Sequence, residues 1–307
     1  MRVAVLSGGV SLERDVSLRS GSRVADALRD AGHDVMLHDV GPDLVTVLEE
    51  SAPDVVFLAL HGSAGEDGTV QSILEILGLP YTGPDPLASA LAWNKPIAQG
   101  LYRKAGITVP RNVALTQQAF RELGAAAAVS RIADALGPRV VVKPATGGSS
   151  LGLSIIDDLA RLPQGIVGAF SYAAGVLLEE FIEGTEVAVS LLDGTPLPPV
   201  EIVPKEGAYD FAARYTAGAT DFHVPARLDD VVLDRCRDVA TQAAAAIGAR
   251  HVLRADMIVR PDGTPVLLEV DTCPGLTETS LLPLAAQADG LSFGALCERL
   301  LSVALGG

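Results

Sequence analysis

Leu253-Arg254-Ala255-Asp256-Met257-Ile258-Val259 and Val266-Leu267-Leu268-Glu269-Val270-Asp271, separated by a turn at Pro261-Asp262-Gly263, form the stretch that decides the fold. Two apolar, β-prone runs around a Pro-Asp-Gly turn predict a β-hairpin. In a strand, residues two apart share a face, so Glu269 and Asp271 project together with Val270 behind them. The turn brings Asp256 alongside. Three carboxylates at the ends of apolar strands repel one another unless a hard cation lies among them. Magnesium with phosphate oxygens would complete such a site. One such Asp is commonly just a solvated edge residue, but a trio set in apolar runs is harder to explain that way.

Before this hairpin, Glu186 to Leu191 alternates like a further antiparallel strand; helices are predicted at about 229–247 and 292–305. Upstream, Val140-Val141-Val142-Lys143-Pro144 reads as a strand running into the glycine-rich segment 145–152, and Val176 to Glu180 as another short strand. At the N-terminus, strands at 2–6, 34–39 and 54–60 alternate with helices at 14–31 and about 69–77. That alternation implies a parallel sheet covered on both faces. Between these regions a helix at 94–105 and a connection at 106–110 lead into an alanine-rich helical stretch ending near Leu136. The expected fold is therefore mixed α/β and α+β in three domains, 1–84, 85–183 and 184–307.

The composition narrows the function. Hydrophobic residues make up 49% and charged residues 20% of 307, which is globular, and the net charge of −15 argues against a nucleic-acid binder. Cys236, Cys273 and Cys297 form neither a disulfide framework nor a zinc motif and fit a reducing compartment. No run is apolar enough for a membrane helix and no signal peptide is visible, so a cytoplasmic protein is expected.

Two further segments suggest ligand chemistry. Glycines after Lys143 allow backbone amides to approach phosphate oxygens, although the lysine precedes the glycines, unlike a P-loop. As a lone signal, a surface hairpin explains this loop equally well. His61 follows the third strand directly, where ligands bind in parallel sheets, and is placed for an anionic group. A lone histidine is more often structural.

In order along the chain, Leu6-Ser7-Gly8-Gly9, Glu13-Arg14-Asp15-Val16-Ser17, Ala59-Leu60-His61-Gly62, Gly65-Glu66-Asp67-Gly68 and Leu79-Pro80-Tyr81-Thr82-Gly83 are followed by Val142-Lys143-Pro144 with Gly148-Ser149-Ser150-Leu151-Gly152. Then come Tyr209-Asp210-Phe211-Ala212-Ala213-Arg214-Tyr215, Arg254-Ala255-Asp256 and Leu268-Glu269-Val270-Asp271-Thr272-Cys273-Pro274-Gly275-Leu276-Thr277. This ordered set resembles the D-alanine–D-alanine ligase family of the ATP-grasp superfamily almost from end to end.

The resemblance implies ATP gripped between the second and third domains. It matches Lys95 and Lys143, with Ser150 of the glycine-rich loop, to the phosphates, and Glu179 and Glu186 to the adenine and ribose side. Asp256, Glu269 and Asp271 match the ligands of magnesium, two ions, with manganese as an alternative. Glu13 matches the acceptor for the first amino acid's ammonium, and His61 the partner of its carboxylate. Ser149 and Tyr215 match a group that closes a loop over the site with Glu13. Arg254 and the Gly275 amide match donors to a tetrahedral oxyanion. Arg214, Ser280 and Leu281 match contacts to the second amino acid's carboxylate. A homodimer acting in peptidoglycan precursor synthesis is likewise implied. Asp271 stands where relatives usually carry Asn, Cys273 where Ser or Met is usual, Arg214 where Lys is common, and Thr146 where Arg is frequent.

Three rivals remain open from sequence. One is a related ligase joining D-alanine to another D-amino acid or a hydroxy acid. Another is a nicotinamide oxidoreductase, which the missing Gly-x-Gly-x-x-Gly argues against. The third is a nucleotide-binding protein without catalysis, which the acidic trio and both lysines argue against.

Overall fold

A computed structural model describes residues 1–124, 129–207, 209, 213, 214, 216 and 218–306. Its first sheet holds β1 (Arg2–Ser7), β2 (Asp34–Asp39) and β3 (Val55–Leu58), parallel and in the order β2-β1-β3. Alternation along β1 sends Val3 and Val5 to one core and Ala4 and Leu6 to the other, so both faces are covered. Val3 and Val5 meet Val24 and Leu28 of the helix Arg14–Asp30 and Leu296 and Leu300 of the helix Phe293–Ala304, while Ala4 and Leu6 pack with Leu48 and Leu74. The third strand is shorter than the apolar run 54–60, although the Ala59 amide still donates to the Leu6 carbonyl at 2.9 Å.

The second sheet is antiparallel, ordered β4-β7-β5-β6 from β4 (Asn112–Thr116), β5 (Val140–Pro144), β6 (Ser154–Ile156) and β7 (Gly175–Glu180). Here the structure corrects the expected helical stretch beyond Pro110. Asn112–Thr116 is a strand instead, with Val113 and Leu115 packed on the central core. The helices Gln117–Arg121 and Val129–Leu136 follow it, and the Thr116 hydroxyl caps the first by accepting from the Ala119 amide at 3.1 Å.

The third sheet contains β8 (Thr185–Leu192), β9 (Thr195–Pro196), β10 (Val200–Pro204), β11 (Thr220–His223), β12 (Val252–Val259) and β13 (Pro265–Asp271). Its order is β11-β10-β8-β12-β13, with β9 paired to β8. The hairpin β12–β13 is the one expected around Pro261-Asp262-Gly263. The helix Asp230–Ile247 covers this sheet through Leu233, Cys236, Ala240 and Ala243. The sequence did not reveal the short helices Pro86–Trp93, Leu162–Ala169 and Leu281–Ala288. Among the described residues, no helix is long and apolar enough to cross a membrane.

Candidate active site

The carboxylate hairpin is assembled by strand register. Asp256 pairs directly with Glu269 and Arg254 with Asp271, and a bulge follows between Asp256 and Met257. Arg254 is buried and forks onto Asp256, with Nε donating to Oδ1 at 2.6 Å and Nη2 to Oδ2 at 2.8 Å. Its Nη1 lies 2.9 Å from Asp271 Oδ2. A charged pair this deep survives only with several hydrogen bonds, and losing one partner costs about 3–5 kcal/mol. Lys95, at the start of the helix Lys95–Lys104, reaches Glu269 Oε2 at 3.4 Å and donates to the Gly147 carbonyl. Burial alone would raise the Glu269 carboxyl, but Lys95, Lys143, Arg214 and Arg254 outweigh it and hold it at about 2.

Two cavities meet at this wall. The smaller, about 60 Å³, is lined by Glu13, His61, Ser149, Arg254, Asp271, Gly275, Ser280 and Leu281. The larger, about 700 Å³, is lined by Lys143, Ser150, Glu179, Glu186 and Asp256. Lys95, Arg214 and Glu269 face both. Every site residue named from sequence therefore lines one cavity or both, apart from Tyr215, which lies outside the described residues.

In the smaller cavity the Ser149 hydroxyl donates to Glu13 Oε1. Burial raises the Glu13 carboxyl, and this Ser149 bond works in the opposite direction. His61 Nδ1 is 3.1 Å from the Cys273 carbonyl and Nε2 is 2.9 Å from Ser20 Oγ. A carbonyl only accepts, so Nδ1 carries the proton and Nε2 accepts from Ser20. Burial, which lowers the imidazole's pKa, favours this neutral form. The Ser280 hydroxyl accepts from the Thr277 amide at 3.0 Å, which folds the Gly275–Ser280 turn tightly. A Cβ on Gly275 would lie 2.7 Å from that same hydroxyl.

The glycine-rich loop joins the two cavities. Ser149 and Ser150 adopt φ of 48° and 57°, left-handed values that cost a non-glycine residue about 1–3 kcal/mol. Specific bonds offset that strain. Ser150 Oγ donates to the Tyr209 carbonyl at 3.1 Å and accepts from Arg214 Nε at 3.2 Å, while Arg214 stacks 4.3 Å from the Tyr209 ring centroid. Gly148 has no such latitude, since a Cβ there would crowd Glu13 Oε2 at 3.1 Å and Glu66 Oε2 at 3.3 Å.

In the larger cavity Lys143 Nζ lies 2.9 Å from Glu179 Oε2. Burial pushes Glu186 up to about 7, against the pull of Arg214. Asp256, Glu269 and Asp271 are hard oxygen donors of the kind that suits a divalent cation bound with phosphate. Arg254 and Lys95 carry the compensating charge, and among the described residues no three His, Cys, Asp or Glu side chains converge as a ready ligand set.

Sequence reading overlooked three residues. Glu66 is buried, accepts from the Gly62 amide at 2.8 Å and lines the smaller cavity; burial, with Asp271 and Glu13 nearby, raises its carboxyl well above the ordinary range. Its signal was its place in the Gly65-Glu66-Asp67-Gly68 block. Gln99 lies one helical turn beyond Lys95, and Tyr209 backs Arg214.

Residues 101–302 match the family described as D-ala D-ala ligase C-terminus, and residues 43–84 the one described as D-ala D-ala ligase N-terminus. This chain belongs to the D-alanine–D-alanine ligase family. It is 45% identical over 300 residues to the D-alanine–D-alanine ligase of Anaeromyxobacter sp. (strain Fw109-5), covering 98% of this chain and 96% of that one. The crystal structure of the Bacillus anthracis D-alanine–D-alanine ligase complexed with ATP superposes with a TM-score of 0.84 at 32% identity, covering 100% of this chain and 98% of that one. The VanG D-Ala:D-Ser ligase from Enterococcus faecalis gives 0.83 at 30% identity, with 99% of each chain covered. These family likenesses also support the three-sheet ATP-grasp architecture.

Proposed function

We propose that the chain joins two D-alanines to D-alanyl-D-alanine, converting ATP to ADP and phosphate, for peptidoglycan precursor synthesis. One observation carries this reading: Glu269, Lys95 and Arg214 form a wall common to two cavities of different character. A phosphoryl donor in the larger cavity and an amino-acid carboxylate in the smaller one meet across that wall.

A carboxylate is a poor electrophile until phosphorylated to an acylphosphate. Glu13 holds the first D-alanine's ammonium, and His61 lies beside its carboxylate. Lys95 and Lys143 offset the charge of the phosphates as the γ-phosphoryl group moves to that carboxylate. Ser150 lies on the phosphate loop, and Glu179 and Glu186 face the adenine and ribose. Asp256, Glu269 and Asp271 would hold magnesium or manganese, two ions, whose charge neutralises phosphate oxygens when bound. The second amine then attacks the acyl carbon and phosphate leaves. Arg254 and the Gly275 amide face the developing oxyanion. Arg214, Ser280 and the Leu281 amide hold the second carboxylate. Ser149 and Tyr215 close the segment around 205–220 over the acylphosphate and keep water out.

Domain limits at 84 and 183 are supported by the sheets, each of which falls within one of 1–84, 85–183 and 184–307. A homodimer and a cytoplasmic setting complete the proposal, the latter supported by the free, buried Cys236, Cys273 and Cys297. ADP release with D-alanine, compared with other amino acids offered singly, tests the ligase reading; release independent of D-alanine contradicts it. Among the described residues, Arg214 is held by the Ser150 hydroxyl and the Tyr209 ring, an arrangement that leaves a guanidinium edge for the second carboxylate.

A further inference from the structure

Gln99 shares a helix face with Lys95 and is 1% exposed. Its Nε2 donates to Glu179 Oε1 at 2.5 Å and to the Leu268 carbonyl at 3.1 Å, and its Oε1 accepts from Asn112 Nδ2 at 2.6 Å. The amide orientation is forced. A carboxylate and a carbonyl accept only, so nitrogen must face both. Asn112 Nδ2 also donates to the Pro110 carbonyl at 3.2 Å, which fixes that side chain too. Asn112 and Glu179 are direct partners on β4 and β7, and Leu268 precedes Glu269 on β13. One buried amide therefore ties together the two sheets that flank the larger cavity. The other oxygen of Glu179 receives Lys143.

We propose that Gln99 is a positioning residue that sets which nucleotide base the larger cavity accepts, by holding the Glu179 carboxylate in the orientation that turns its remaining acceptor lone pairs to the base edge. The assignment rests on reading that cavity as the nucleotide site. A carboxylate has about four lone-pair positions, and Gln99 and Lys143 occupy one on each oxygen. What remains accepts and cannot donate. A base carrying an amino group at that edge, as adenine does, is satisfied. A base carrying a carbonyl there, as hypoxanthine does, sets oxygen against oxygen and leaves both unpaired, the kind of mismatch that buried polar sites reject most strongly. A carboxylate released from Gln99 is free to turn aside and discriminates less.

The test compares ligation rates with ATP and with inosine triphosphate, whose base differs by a 6-oxo group, for the parent chain, Gln99→Met, Asn112→Ala and Glu179→Gln. Gln99→Met is expected to lower the ratio of kcat/KM for ATP over inosine triphosphate by about tenfold, the scale of one hydrogen bond. The KM for D-alanine stays unchanged. Asn112→Ala, which removes the donor to Gln99 Oε1 and so loosens that side chain, moves the ratio the same way by less, and it carries the test if Gln99→Met does not fold. A merely structural role lowers both nucleotides alike, and an unchanged ratio in both variants overturns the inference. Glu179→Gln separates the two levels. If it shifts the ratio while Gln99→Met and Asn112→Ala do not, only the role of Gln99 falls. If it also leaves the ratio unmoved, Glu179 does not face the base, and the nucleotide reading of that wall falls with it.

Discussion

The two cavities share a wall but are fixed in different ways. In the smaller one, nearly every polar group is tied to another: Ser149 to Glu13, His61 to Ser20 and Cys273, Arg254 to Asp256 and Asp271. The larger one adds apolar surface from Val141, Leu153, Ile155, Phe181, Ile202 and Leu268. A site made of interlocked charges selects by the placement of charge, and each member is costly to lose. A site with an apolar body and a few polar edges tolerates more change and discriminates at those edges. Single substitutions should therefore act most strongly at the shared wall, then in the smaller cavity, and least in the larger.

Glu269→Gln should have the largest effect. It removes the one carboxylate common to both cavities among the described residues and leaves Lys95 facing a neutral amide. Product formation should fall roughly a thousandfold, the scale of losing one preorganised charge contact, in a protein with unchanged circular dichroism. Turnover near the parent's would break the idea of a shared wall.

Arg214→Ala comes next. The KM for the second D-alanine should rise about tenfold to a hundredfold, as expected for losing a charge-assisted contact, with the first-site and ATP constants little changed. Arg214→Lys should recover part of the loss, since an ammonium keeps the charge without the guanidinium fork. Initial rates across a D-alanine titration resolve the two sites, and an equal rise in all constants would show that Arg214 only braces the loop.

How much of this was legible in the sequence depended on whether a residue's role is written in local pattern. The hairpin was legible because alternation and a Pro-Asp-Gly turn fix both register and face, and Asp256 does pair with Glu269. β4 was not. Its five residues run straight into a helix, and only pairing with β7 identifies them as a strand. The helix Leu281–Ala288 was hidden because Pro283 sits in its first turn and its apolar residues show no clear period. Glu66 and Gln99 are polar residues that look solvent-facing in a linear reading. Burial gives both their meaning; the only local signal of Glu66 is its place in the Gly65-Glu66-Asp67-Gly68 block, and Gln99, held by partners from distant segments, has none. The site residues that were legible came as an ordered set whose members are individually weak signals.

Ser149→Ala should have a smaller effect. It removes the Glu13 bond, worth about 0.5–1.5 kcal/mol, while the left-handed backbone stays as strained as before. Ligation should drop several-fold, and ADP should be released in excess over dipeptide because the acylphosphate is less well covered. A one-to-one ratio with unchanged rate would make that bond incidental.

The smallest effect is one of stability, in the larger cavity. Burial raises the Glu186 carboxyl from 4.5 to about 7 in the folded chain. The folded state thus holds its proton more tightly than the unfolded state. That contribution to stability is full below about pH 4.5 and is lost as pH rises through about 7. Glutamine cannot ionise, so Glu186→Gln should raise Tm relative to the parent above pH 7, and the gain should vanish near pH 4. A Tm difference that does not vary with pH would contradict the burial argument.

On the proposed function, two amino-acid substrates in the smaller cavity are joined by phosphoryl transfer from the larger. Mass spectrometry of the products formed by the purified chain with ATP, magnesium and an equimolar panel of D-amino acids and D-hydroxy acids tests it most directly. The account predicts D-alanyl-D-alanine as the dominant product, with one ADP per dipeptide. A mixed product that outweighs D-alanyl-D-alanine, or ADP formed without any dipeptide, would contradict it.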